Sequence, residues 1–189
     1  GPKRLPPLRP SHPMTTPHSG IDDDRVHTLF ISAAEPSGDR LAAELVTALG
    51  ALTPIRCRGI AGPALRAAGV EPVARMEDIA VMGIAEVLGH LGQISRARKA
   101  AARALDDGID ALVVVDAPDF HLPLAAKARA AGIPAIGYVS PQVWAWRPER
   151  VDTIAAGLDQ LLCLFAFEPP LYAQAAQEHG TKVEWVGHP

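Results

Sequence analysis

The residues best suited to chemistry fall in short segments that each follow an apolar run. In LVVVDAPDFH, residues 112–121, Asp116 comes directly after the run and Asp119 three positions later. A carboxylate that emerges from a buried strand is partly stripped of water, which raises its basicity toward that of a general base. Asp119 stands near the start of the next helix, where it would cap that helix or hold a substrate hydroxyl. ISAAEPSGDRLAAEL, residues 31–45, offers Glu35, Ser37, Gly38 and Asp39. Pro36 breaks the strand, Ser37 is placed to cap the helix, and Gly38 leaves the backbone open to a ligand. Free amides and the positive end of a helix dipole would suit a phosphate or a sugar hydroxyl there, although a plain strand-to-helix turn uses the same residues. The dinucleotide fingerprint GxGxxG is absent. YVSPQVWAWRPER, residues 138–150, adds Ser140, Trp144, Trp146 and Arg147. Indole faces beside a guanidinium suit a sugar, an acyl group or a phosphate, and tryptophans also serve as packed core. His188, in VGHP after a further strand-like run, adds a titratable imidazole.

A different kind of segment spans residues 76–103. Val81, Met82, Ile84, Val87, Leu88 and Leu91 crowd together ahead of Arg96, Arg98, Lys99 and Arg103. The pattern fits a helix with a core face and a solvated basic face. A sharper reading is an apolar surface patch with a basic margin that rests on an anionic membrane or receives acyl chains.

Such segments must be positioned by strands and helices in alternation. Strands are predicted at His27 to Ala33, Ile55 to Ile60, Ala111 to Val115, Ala135 to Val139, Gln160 to Leu164 and Val183 to Val186. Helices are predicted over 38–50, 63–69, 84–89, 93–107, 121–131, 148–156 and 168–178. Continuous apolar runs such as 112–115 belong to strands covered on both faces. Repeated βαβ units give an α/β fold with a doubly wound parallel sheet, in which ligands sit outside the carboxyl ends of the strands. The 189 residues, 48% of them hydrophobic, suffice for one well-buried domain over residues 26–189 and exclude a cysteine-stapled scaffold. Residues 1–25 read as a disordered proline-rich tail, its opening Gly-Pro a protease scar. A net charge of -3 gives no overall drive toward nucleic acid. Cys57 and Cys163 lie in apolar runs, as buried thiols do in a reducing compartment, and nothing in the sequence calls for a metal. No apolar stretch approaches the ~18 to 20 residues of a membrane-spanning helix, so the chain reads as soluble and cytoplasmic.

Taken in order, AEPSGD at 34–39, GIAGPALRAAG at 59–69, MEDIAVMGIAEVLG at 76–89, DAPDF at 116–120, YVSPQVWAWR at 138–147 and VGHP at 186–189 resemble the lipid-A-disaccharide synthase family. The family's first turn usually reads AGExSGD; Ala34 replaces its glycine. The resemblance implies the N-terminal, acceptor-side half of a GT-B glycosyltransferase with two Rossmann-like halves, working without metal or cofactor. It implies transfer of 2,3-diacylglucosamine from UDP-2,3-diacylglucosamine to 2,3-diacylglucosamine 1-phosphate (lipid X), with Asp116 as base for the acceptor hydroxyl. It also implies that the segment from Val81 to Leu91 meets acyl chains at the inner face of the inner membrane. Family members run well beyond this length, so the C-terminal nucleotide-sugar half is expected to be missing and the chain inactive alone. An apolar face would then be left exposed or be covered by a second copy in a homodimer. Two other readings stay open: a binding module without chemistry, and another GT-B-like enzyme such as a UDP-N-acetylglucosamine epimerase.

Overall fold

A computed structural model describes residues 25–80, 87–142 and 148–189; for residues 80 and 87–91 it describes the backbone alone. The expected tail therefore lies outside the described residues, except for Arg25, which pairs with Asp110. Val81, Met82, Ile84, Trp144, Trp146 and Arg147 also lie outside them, as do the side chains of Val87, Leu88 and Leu91.

Strand and helix alternate as the apolar runs require. The order is β1 (His27–Ala33), α1 (Pro36–Leu52), β2 (Ile55–Ala61), α2 (Pro63–Ala67), β3 (Glu71–Arg75), α3 (Glu77–Ala80), α4 (Val87–Ala104), β4 (Ala111–Val115), α5 (Pro118–Ala130), β5 (Ala135–Tyr138), α6 (Arg150–Gly157), β6 (Gln160–Cys163), α7 (Glu168–His179) and β7 (Lys182–Trp185). The strands form one parallel sheet in the order β3-β2-β1-β4-β5-β6-β7. Successive side chains of a strand face opposite ways, so β4 feeds two cores. Leu112 and Val114 pack with α4, α5, α6 and α7, whereas Val113 and Val115 pack with α1 and α2. Both faces of β4 are covered, which is why its sequence is apolar throughout.

β3 was not predicted. Its sequence, EPVAR, shows no alternation, and it is an exposed edge strand that needs none. The two helices expected over 84–89 and 93–107 are replaced by α4, which runs unbroken through Gly92, whose missing Cβ would meet open space. α1 begins two residues earlier than predicted, because Pro36 takes the first helical position, where its missing amide hydrogen is no loss. Beneath the strands, Asp110 accepts from the Thr28 amide and Asp159 from the Ala135 amide, both at 2.8 Å, fixing the entries to β1 and β5.

Candidate functional site

The strand order reverses direction between β1 and β4, and their carboxyl ends lie side by side, with Ala33 opposite Val115. A cleft of about 640 Å³ opens there, between the start of α1, the start of α5 and helix α4. Glu35, Arg98, Asp116 and Asp119 supply its charge, and Ile79, Ile94 and Phe120 its apolar wall. This is where an open α/β sheet binds ligands.

The chain leaves β4 through two consecutive left-handed residues, Asp116 (φ 50°) and Ala117 (φ 44°), before Pro118 opens α5. Val139, at the exit of the neighbouring β5, has φ 72°. Non-glycine residues in this region are uncommon, and each carries a strain of about 1–3 kcal/mol that the surroundings must hold. These are the described non-glycine residues with positive φ, and all sit at the carboxyl ends of two adjacent strands.

Burial drives the Asp116 carboxyl above the ordinary carboxylate range. The Ala117 amide opposes the shift and the Glu35 charge adds to it. Asp116 is thus a stronger base than an exposed aspartate, as its position after a buried run predicted. Glu35 forms the N-cap of α1 with an exposed side chain. The first bond within that helix runs from the Asp39 amide to the Glu35 carbonyl at 2.9 Å, so the amides of Ser37 and Gly38 lie at its open end.

Other predicted site residues have different tasks. Ser37 does not cap α1; it sits exposed inside the first turn, behind Pro36. Gly38 is buried and packs on β4, since a Cβ there would lie 3.2 Å from Val115 Cγ1. Asp39 is buried, and its carboxylate accepts amides from Gly62 and Ala64 at 2.8 Å and from Leu65 at 3.3 Å. It caps α2 from 23 residues away and is a structural clasp rather than a substrate ligand. Ser140 is also buried. Its hydroxyl donates to the Pro141 carbonyl at 3.2 Å and lies 3.1 Å from the Tyr172 hydroxyl, so it is bonded within the protein rather than presented to a substrate. Burial pushes Tyr172 up to about 12, so it stays protonated.

Asp119 neither caps α5, whose N-cap is Ala117, nor is left open; Arg150 of α6 grips both its carboxylate oxygens. His188 is exposed beyond β7, its Nδ1 2.8 Å from the Pro189 carbonyl. β7 lies three strands, roughly 14 Å, from β4, so His188 is not part of the cleft.

Two residues of the site were not assigned to it from the sequence. Arg98 belongs to the cleft rather than to a solvated basic margin. Its guanidinium lies over Phe120 at 5.0 Å, donates to the Asp119 carbonyl at 2.7 Å, and leaves a buried Nε without a partner among the described residues. His121, the residue after DAPDF, is buried between Ser32 and the Asp116 carbonyl. Its position five residues after a strand-end aspartate was a readable signal, but nothing local distinguishes it from an ordinary core histidine. Cys57 and Cys163 are buried free thiols pushed up to about 11 and about 12 by burial. Asp152, Glu178 and His179 have ligand atoms within 4.8 Å of one another, exposed on α6 and α7 and outside the cleft lining.

A parallel, doubly wound sheet with a strained, desolvated carboxylate at its switch point defines a Rossmann-like domain. The family model described as lipid-A-disaccharide synthetase matches residues 29–189. The chain belongs to that family. It is 46% identical over 159 residues to a lipid-A-disaccharide synthase of Chromobacterium violaceum, covering 83% of this chain and 40% of that protein. It is 43% identical over 171 residues to that of Geobacter sulfurreducens, covering 89% and 44%. The chain thus spans about two fifths of the length of the curated relatives it matches. Among solved structures, MurG of Acinetobacter baumannii overlays loosely, with a TM-score of 0.40 and 13% identity over 87% of this chain and 68% of that one.

Proposed function

We propose that the protein contributes the acceptor side of a lipid-A-disaccharide synthase. The complete enzyme would be an inverting GT-B glycosyltransferase that moves 2,3-diacylglucosamine from its UDP carrier onto lipid X. Family membership supports the reaction class, and the observation that carries the reading is Asp116, desolvated and raised in basicity, facing the cleft at the switch point. In this reading Asp116 takes the proton of the acceptor 6-hydroxyl as its oxygen attacks the anomeric carbon. The bond from that carbon to the β-phosphate oxygen breaks, the electron pair leaves with UDP, and the new linkage is β-1',6. Residues beyond this chain in the longer relatives would hold the nucleotide, and Asp116 would act without metal or cofactor.

The acyl chains are assigned to the apolar wall of Ile79 and Ile94 and to Val81, Met82, Ile84, Val87, Leu88 and Leu91, which fall between those two residues in the sequence. The exposed Arg96, Lys99 and Arg103 would face anionic headgroups of the inner membrane. No helix among the described residues is long and apolar enough to cross a membrane, so the proposed association is peripheral. It predicts sedimentation with vesicles containing phosphatidylglycerol but not with pure phosphatidylcholine, and release by added salt; equal binding to both would remove the electrostatic part.

The central test replaces Asp116 with Asn in the protein carried at the full length of its relatives. Turnover is expected to fall about 10²- to 10⁴-fold with little change in acceptor KM. Unchanged turnover would remove Asp116 from the chemistry and favour a binding module. The chain alone is expected to form no disaccharide from UDP-2,3-diacylglucosamine and lipid X, and product formation by it would overturn the two-part reading.

A further inference from the structure

The left-handed step at Asp116 and Ala117 needs something to hold it, because neither residue is a glycine. Ala117 is held by the Phe120 and His121 amides, which donate to its carbonyl at 3.0 and 3.1 Å, whereas the Asp116 amide reaches the Tyr138 carbonyl at a longer 3.3 Å. The firmer grip comes from His121 on the first turns of α5. Its ring is 1% exposed, with Nδ1 2.7 Å from the Asp116 carbonyl and Nε2 2.8 Å from the Ser32 hydroxyl. A carbonyl only accepts, so Nδ1 carries the proton and donates to it. Nε2 is then the acceptor, and the Ser32 hydroxyl donates to it. Ser32 is fully buried in β1, in register with Val114 of β4. The chain of bonds therefore runs from β1, across the ring, to the backbone of the catalytic carboxylate and joins the two strands that flank the cleft.

We infer that His121, braced by Ser32, is the positioning residue for Asp116. It fixes the strained backbone so that the carboxylate faces the cleft instead of relaxing along the strand. Its catalytic consequence rests on the proposed role of Asp116 as base; its structural content does not. The ring suits the task because a neutral imidazole offers one donor and one acceptor on opposite edges, and each has a single partner here.

Two substitutions separate positioning from packing. His121→Asn keeps an N–H at the place of Nδ1 and gives up the Ser32 bond, whereas His121→Met fills the volume and offers no donor. Two readouts apply: carbon-13 NMR titration of the Asp116 carboxyl in this chain, and kcat and KM in the protein at full length with UDP-2,3-diacylglucosamine and lipid X. The Met variant is expected to lose about 10²-fold in kcat with acceptor KM little changed, and to release the Asp116 titration toward the ordinary carboxylate range. The Asn variant is expected to recover most of both. Parental kcat and titration in the Met variant, or equal losses in the two variants, would overturn the inference. If the Met variant does not fold, Ser32→Ala leaves Nε2 without its donor and is expected to move both readouts in the same direction by a smaller factor; no movement overturns the inference. An inactive parent whose Asp116 titration still shifts with His121→Met would sink the transferase reading and uphold the positioning role.

Discussion

Burial pushes the His121 imidazole down to about 4 from the ordinary 6.5; the nearby Arg98 charge adds to the shift and the Asp116 carbonyl opposes it. Between those two values the unfolded chain binds the proton and the folded chain does not, so stability falls as pH drops through the window. The loss approaches roughly 3 kcal/mol below pH 4 and is absent above 6.5. The raised Asp116 and Glu168 carboxyls act in the opposite sense, since the folded protein protonates them first. The measurement is therefore a comparison: in urea unfolding, the parent is expected to lose more stability between pH 7 and pH 4.5 than His121→Asn does. Equal losses would mean that the imidazole is not the acid-sensitive group. Asp116 was legible in the sequence because an aspartate directly after four apolar residues can only emerge at a strand end. Asp39 was not, because its amide partners lie 23 to 26 residues further on and no local pattern announces them.

At the scale of elements, the clasp of Asp39 on α2 joins the first two strand exits. Asp39→Ala would leave the Gly62, Ala64 and Leu65 amides without their acceptor and is expected to destabilise the protein by about 3 kcal/mol in urea unfolding. A second constraint lies between β1 and β2. A Cβ on Gly59 would stand 1.7 Å from the Ile31 carbonyl oxygen, so Gly59→Ala is expected to abolish folded protein as judged by circular dichroism and gel filtration. Buried strands such as β4 and β6 were readable from apolar runs alone. The edge strand β3, which faces solvent and carries Pro72, left no periodic trace. The cap of α1 was misplaced because Ser37 is a favoured capping type, yet Pro36 beside it settles the helix start two positions earlier than such a cap would allow.

Over the whole molecule, the doubly wound parallel sheet was legible from alternation, and so was the placing of the cleft outside its strands. Phe165, stacked on Phe167 at 5.7 Å, lies with Leu171, Trp185 and Val186, all exposed around the ends of β6 and β7. The sheet order also separates sequence from space. β1 lies between β2, which follows it directly, and β4, just before which Asp110 anchors the Thr28 amide across 82 residues. Closing that long loop must precede any cleft, and such non-local pairing slows folding. Val114→Ala, at the β1–β4 seam, is expected to slow refolding in stopped-flow fluorescence. Leu161→Ala, further out in β6, is expected mainly to speed unfolding. During synthesis, the first three strands leave the ribosome with one flank of β1 unpaired, and the half-built sheet presents an open edge until β4 arrives. The seam that later houses the Asp116 carboxylate is therefore, for that interval, the place where a newly made chain is most open to pairing with the wrong strand.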